Sequence, residues 1–299
     1  MHLDRYVNTL GKHLKARFGQ HVRKLALDAG FTCPNRDGTL GRGGCTFCSV
    51  RSFNEGDARI PVMEQLAARR MELKRASRYI AYFQAYTSTY AEVEELRRLY
   101  AEATREADIV GICVGTRPDC VPDSVLEILA DYRRRGYEVW LELGLQSAHD
   151  ETLRRINRGH GFAAYADAVA RAHRHGVPVC THVIIGLPGE SAAMCRDTHA
   201  KVLELGIAGL KLHPLMIVAG STLAAEYARG ELPPLPIEDY AAIAAGLIRH
   251  TPPDVVFHRV TATAREPTLV APDWCHTSWP AIHAICEDLM RNGIQGCRV

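Results

Sequence analysis

The chain has 299 residues, 47% apolar and 23% charged, which excludes a disordered protein and suits one large domain or two modest ones. No apolar run approaches the roughly 20 residues that span a bilayer, and Met1-His2-Leu3-Asp4-Arg5 is not followed by the core of a signal peptide, so a cytoplasmic protein with no membrane partner is expected. A net charge of +2 is no nucleic-acid signal by itself, but residues 1–27 hold Arg5, Lys12, Lys15, Arg17, Arg23 and Lys24 against Asp4, a local +5 that suits phosphate or a solvated basic helix.

Strand patterns occur at Arg23–Asp28, Tyr79–Tyr86, Ile109–Gly115, Glu138–Gln146, Val177–Gly186 and Gly209–Pro214, with a seventh at Val255–Val260. Amphipathic segments separate them. In Glu92–Ala107, for example, Val93, Leu96, Tyr100, Ala103 and Ala107 share one helical face. Pro122-Asp123 and Pro236-Ile237-Glu238 open helices, and Gly136, Gly176 and Gly206 close them. Strand and helix in alternation predict an α/β fold with a parallel sheet and right-handed crossovers. Six or seven units fall short of eight, so the expected architecture is a partial (β/α)6 TIM-like barrel. Residues 1–232 would form it, with residues 233–299 as a short C-terminal extension packed on the barrel.

The strands also alternate where a doubly buried strand would be apolar throughout. Leu141, Leu143 and Leu145 share one face, and Glu142, Gly144 and Gln146 the other. Val183 and Ile185 oppose His182 and Gly186, and Leu210 and Leu212 oppose Lys211 and His213. Leu25 and Leu27 are set against Lys24 and Asp28, while the second strand adds Gln84 and Tyr86. The apolar face meets the helices, so the polar face lines the lumen. That many ionisable groups predict a wet, functional cavity.

Ten cysteines are many for a reducing compartment, where metal or redox chemistry is a better reading than disulfides. Cys33, Cys45 and Cys48 follow the first strand with the spacing C-x11-C-x2-C, and residues 30–48 contain five glycines and one proline. Such a loop wraps a compact object closely, at the strand end where parallel barrels keep their active sites. Zinc in a structural site wants a fourth ligand, and none lies nearby in sequence. A redox pair of Cys45 and Cys48 would leave Cys33 idle. Three thiolates on an iron–sulfur cluster leave one iron open to a small molecule. The spacing favours the cluster over zinc and leaves both standing.

The run Gly30-Phe31-Thr32-Cys33-Pro34-Asn35-Arg36-Asp37-Gly38, with Phe47 between the last two cysteines, resembles the radical S-adenosylmethionine (radical SAM) superfamily. Arg5-Tyr6-Val7-Asn8 and Tyr86-Thr87-Ser88-Thr89-Tyr90 are similar, more narrowly, to its YhcC-like group. Thr116-Arg117-Pro118-Asp119, Gly144-Leu145-Gln146-Ser147, Gly186-Leu187-Pro188-Gly189-Glu190 and Gly220-Ser221-Thr222-Leu223 resemble segments of the Elongator catalytic subunit and of oxygen-independent coproporphyrinogen oxidase. The resemblance implies that Cys33, Cys45 and Cys48 hold a [4Fe-4S] cluster. It also implies that S-adenosyl-L-methionine is cleaved reductively to a 5′-deoxyadenosyl radical, which abstracts hydrogen from a substrate. A reducing partner of flavodoxin or ferredoxin type would supply the electron.

By the same resemblance Phe47, Gln146, Arg158 and His182 contact S-adenosyl-L-methionine. Phe47 is equally suited to packing under the loop, and Arg158 to a solvated helix end. His182 stands where coproporphyrinogen oxidase has an Asp, so only the position transfers. The family's glycine-rich element after the second strand is here Gln84-Ala85-Tyr86-Thr87, which sends Tyr86 somewhere new, and Gly115 replaces an acidic residue. Lumen candidates for catalysis are Tyr86, Glu142, His182, Lys211 and His213. Cys275, Cys286 and Cys297, eleven apart, raise a second cluster, but Cys286 falls in a buried helical pattern with Ile282, Ile285 and Leu289.

The substrate divides the reading. Arg117-Pro118-Asp119, Lys211-Leu212-His213-Pro214 and the basic N-terminus lean towards RNA, tRNA included, and the porphyrinogen-type motifs towards a small molecule. The alternative class is a non-catalytic iron–sulfur or zinc-binding sensor on the same fold.

Overall fold

A computed structural model describes residues 2–49, 57–73, 77–264 and 266–298. Its strands are β1 (Val22–Leu27), β2 (Arg78–Phe83), β3 (Ile109–Thr116), β4 (Glu138–Gln146), β5 (Val179–Ile185), β6 (Gly209–Pro214), β7 (Ile217–Val218), β8 (Val256–Arg259) and β9 (Leu269–Ala271). Seven pair in the order β1-β2-β3-β4-β5-β6-β8, every neighbour parallel. The partial α/β barrel is thus present, its last strand contributed by the segment after residue 233. β7 and β9 form a separate antiparallel pair that the sequence reading lacks.

The second strand stops three residues before the expected Tyr86, because Tyr86 itself has a left-handed backbone, φ 58°. The helix expected to reach Ala107 runs Val93–Ala103. Thr104 ends it by turning its hydroxyl back to the Tyr100 carbonyl at 2.8 Å. Helices Asp123–Arg134 and Ile237–Arg249 start after Pro122 and Pro236, and Gly136, Gly176 and Gly206 take φ of 90°, 66° and 71° just past helix ends.

The main core lies between sheet and helices. Leu141, Leu143, Leu145, Val183, Ile185, Leu210 and Leu212 bury there with helical residues such as Leu96, Leu126 and Val169. Inside the barrel, Leu10 and Leu14 of helix Leu10–Phe18 pack on Val22, Ile80, Tyr82, Cys113, Trp140 and Cys180. This helix therefore stops the N-terminal end of the lumen. Thr9 caps it by accepting from the Lys12 amide at 3.2 Å. Arg17 pairs with Glu138 at 2.6 Å, at the start of β4. The basic N-terminal segment thus sits at the end opposite the C-terminal strand ends, and Lys24 is turned inwards. Among the described residues no helix is long and apolar enough to cross a membrane.

Candidate active site

The lumen opens at the C-terminal strand ends into a cavity of about 240 Å³. Cys33, Cys45 and Cys48 line one wall with Phe47; Gln146, Arg158, His182, Lys211 and His213 line the others, and Tyr86 stands at the rim. Every site candidate but Glu142 therefore meets one space. Glu142 lies behind its floor, fully buried.

The cysteine loop is shaped by its own backbone. Cys33 caps the short turn Pro34–Asp37, with the Arg36 amide donating to its carbonyl at 2.8 Å. The Cys48 amide donates to the Cys45 carbonyl at 3.0 Å. Gly44 has φ 80°, a conformation that favours glycine, and a Cβ there would stand 2.8 Å from Arg36 Nε and push that side chain aside. Asn35 and Asn157 tie the loop to the segment after β4: Asn35 Nδ2 donates to the Asn157 carbonyl at 2.6 Å, and Asn157 Nδ2 to the Gly44 carbonyl at 2.8 Å. Asn157 adopts φ 50° to do so.

All three thiols are free. Among the described residues the only three metal-ligand atoms of His, Cys, Asp or Glu lying within 4.8 Å of one another belong to Glu142, Cys180 and His258. The cysteine sulfurs are thus too spread for one zinc ion, whose tetrahedral Zn–S bonds of about 2.3 Å bring sulfurs within about 4 Å. Their wall suits a larger, sulfur-rich anion. Arg158 Nη1 approaches Cys45 Sγ at 3.4 Å while its Nε and Nη2 hold the Gly144 carbonyl at 3.2 and 2.6 Å. Arg117, 2% exposed and paired with Asp119 at 2.7 Å, keeps Nη1 buried without a partner. Burial, with Cys45 beside it, raises the Cys48 thiol pKa.

Gln146 reaches the cavity through an irregularity. The β4–β5 register shifts between Gly144 and Gln146, and Gln146 takes φ 81°. Gly144 leaves room: a Cβ there would stand 2.8 Å from Arg158 Nη2 and 2.9 Å from Gln146 Nε2. Phe47 both lines the cavity and packs towards the cluster of Leu153, Ile156, Ile184 and Leu223. Tyr86 is 37% exposed, the new direction its substitution implies.

Glu142 is a hub. Lys24 Nζ donates to its Oε1 at 2.6 Å, and His258 Nδ1 lies 2.9 Å from the same oxygen. Oε2 accepts from the Tyr82 hydroxyl at 2.6 Å and from Lys211, with His182 Nε2 at 3.0 Å. Burial opposes the charge, but the two ammonium groups outweigh it and hold the Glu142 carboxyl well below the usual range. Burial, with Lys211 beside it, pushes His182 down to about 4, so it is neutral at pH 7. His213 is likewise lowered by burial, with Arg259 adding to it, and its Nε2 has no partner. Lys211 is lowered by burial and by the nearby Lys24 and Arg259 cations, against the attraction of Glu142.

Lys24 and His258 complete this hub from β1 and β8, and Arg259 reaches the cavity beside them. Sequence alternation placed Lys24 on the lumen face but gave no sign of His258 or Arg259. The β6–β8 pairing shifts register between Leu210↔Phe257 and Lys211↔Arg259, so strict alternation assigns Arg259 to the wrong face. Cys275 and Cys286 are buried and Cys297 is exposed. They form no ligand group of that kind among the described residues.

Residues 33–202 match the Radical SAM superfamily model and residues 207–291 the Radical_SAM C-terminal domain. The chain is similar to Protein YhcC of Escherichia coli (strain K12), 54% identical over 297 residues, covering 99% of this chain and 96% of that one. It is also similar to a tRNA uridine(34) acetyltransferase of Dehalococcoides mccartyi, 29% identical over 160 residues, 52% of this chain and only 34% of that protein. Its fold matches the archaeal Methanocaldococcus infernus Elp3 with a TM-score of 0.67 and 17% identity, over 92% of this chain and 64% of that one. A superfamily match over more than half its length, and a relative this similar from end to end, show that the chain belongs to the radical SAM superfamily, in the same family as YhcC, and is an enzyme of that class.

Proposed function

We propose that Cys33, Cys45 and Cys48 hold a [4Fe-4S] cluster, and that the cavity beside them takes S-adenosyl-L-methionine and a nucleotide of an RNA, tRNA first. One observation carries the reading: three free thiols, too spread for one ion, share a wall of a cavity at the C-terminal ends of parallel strands. Bound there, the two cofactors supply reductive carbon–sulfur cleavage and hydrogen-atom abstraction.

The chain's own residues bind, orient and exclude water. Arg158 donates to Cys45 and spans to the Gly144 carbonyl, so it links the cluster wall to the end of β4. The buried Nη1 of Arg117 offers a second donor on that side. Gln146, beside Arg158, and Phe47, on the cysteine loop, are the contacts we assign to S-adenosyl-L-methionine. His182 is held by Glu142 and faces His213 at 5.5 Å between ring centroids, so it serves the far wall. Tyr86 at the rim meets what enters. An RNA substrate is supported by the tRNA-modifying relative and by five cationic side chains on the cavity, Arg36, Arg117, Arg158, Lys211 and Arg259. The electron would come from a flavodoxin- or ferredoxin-type donor.

The test is anaerobic reconstitution with iron and sulfide, then reduction with S-adenosyl-L-methionine and chromatography for 5′-deoxyadenosine. Wild type should hold about four irons per chain and form product, and Cys45→Ala neither. Added tRNA should raise the rate more than a pool of small metabolites. A cluster-bearing chain that neither binds nor cleaves S-adenosyl-L-methionine would overturn the catalytic reading in favour of a non-catalytic iron–sulfur protein.

A further inference from the structure

Charge on the cavity wall is one-sided. Among the described residues its lining includes five Lys and Arg side chains and no Asp or Glu. Three of its four arginines have protein partners: Arg158 the Gly144 carbonyl, Arg36 the Cys48 carbonyl at 3.1 Å, and Arg117 the Asp119 carboxylate, though Arg117 Nη1 stays unpartnered. Arg259 differs. Exposed to solvent, it makes no hydrogen bond or ion pair among the described residues, and it lines the cavity in register with Lys211 on the next strand. Behind this wall Lys24 and Lys211 share the single carboxylate of Glu142, and Arg259 beside them has no carboxylate, a formal excess of +2.

The donors converge. Lys211 uses Nζ on Tyr82 and Glu142, which leaves the third ammonium hydrogen free. His213, two residues along the same strand, has a buried Nε2 with no partner. Arg259 also repels its neighbours, for it is among the causes that lower Lys211 and His213. Lys211 and the His213 Nε2 are buried beside the solvent-facing cation of Arg259, so the wall offers donors and positive charge to an anion entering from the open side.

We infer that Lys211, His213 and Arg259 form a subsite for an anionic group of the substrate, a phosphate or a carboxylate. The inference rests on the reading of this cavity as the reaction chamber. A phosphate would come from the target nucleotide, and a carboxylate from a small co-substrate. Arg259 presents a planar fork suited to either, with Lys211 as a point charge beside it.

The experiment titrates the reconstituted wild type, Arg259→Gln and Arg259→Lys by calorimetry at constant ionic strength, with inorganic phosphate in one arm and malonate in the other. Saturable binding to wild type in either arm is expected. It should weaken at least about 10-fold in Arg259→Gln and be partly restored in Arg259→Lys. Phosphate alone binding would assign the nucleotide source, malonate alone the co-substrate. No saturable binding in either arm would overturn the inference, as would equal affinity in Arg259→Gln. Competition by S-adenosyl-L-methionine would also overturn it, by putting the anion in the cofactor's own footprint. Iron content and 5′-deoxyadenosine formation are measured on the same wild-type preparation. A chain that makes product and binds no anion loses only the subsite, whereas one without cluster or product loses the radical reading.

Discussion

Replacing Glu142 with Gln changes one atom of a buried hub and should be among the most damaging substitutions in the chain. The carboxylate is fully buried and receives two ammonium groups, a phenol and two imidazoles across its two oxygens. An amide supplies one acceptor and one donor. Whichever way it turns, its NH2 faces groups that are themselves donors: Lys24 on the Oε1 side, or Tyr82 and Lys211 on the Oε2 side. The negative charge that holds two buried lysines disappears as well. Breaking a buried pair by removing one partner typically costs about 3–5 kcal/mol, a large part of an ordinary folding free energy of about 5–15 kcal/mol. For a chain of this size that is a fall in Tm on the order of 10 °C. Urea denaturation followed by circular dichroism measures it, provided unfolding is two-state. The companion Lys24→Met/Glu142→Leu/Lys211→Met, which removes charges together, should recover most of the loss. A Glu142→Gln protein within about 1 kcal/mol of wild type would refute the hub as a charge-compensating structure.

Two further predictions concern the same region. Gly144→Ala puts a methyl 2.8 Å from Arg158 Nη2 without demanding a left-handed backbone, so it should displace Arg158 and Gln146 at a stability cost of about 1–3 kcal/mol. Calorimetry should then show weaker S-adenosyl-L-methionine binding, and unchanged affinity would remove both residues from that role. Acid should unfold the protein early. His182 and His199 are pushed down to about 4 mainly by burial, so between that value and the ordinary 6.5 the unfolded chain binds more protons than the folded one. Their contribution is fully present above about pH 6.5 and is lost as pH falls towards 4. Glu142, whose folded pKa is depressed, loses its contribution as pH falls further. Stability that stayed flat from pH 7 to pH 4 in denaturation curves would contradict these assignments.

Much of this was legible because it is local. A period of two in Leu141–Leu145 fixes which side chains face the helices and which the lumen, and Glu142 lies where that period puts it, whereas Gln146 reaches the cavity through a break in the register. The cysteine loop was equally plain as a loop that can wrap a compact group closely, since three cysteines and five glycines fall within residues 30–48, while the spacing alone left cluster and zinc open. Helix ends at Gly136, Gly176 and Gly206 follow from the left-handed backbone that only glycine takes freely.

What needed the tertiary structure is whatever depends on distant segments meeting or on a break in the period. Lys24 and His258 come from the first and last strands of the sheet, 234 positions apart, and meet because the sheet curls. Arg259 joins them only because the β6–β8 register slips by one residue, which no count along the chain reveals. The basic N-terminus, suggestive by composition, became a stopper because Leu10 and Leu14 bury their apolar face in the lumen's closed end. The sequence by itself determined the order of strands and helices, the polar lining and the cysteine-rich loop, all set by spacing within a few residues. Curvature, strand pairing and register decided which charges meet across the lumen, and so where the cavity has an excess of positive charge.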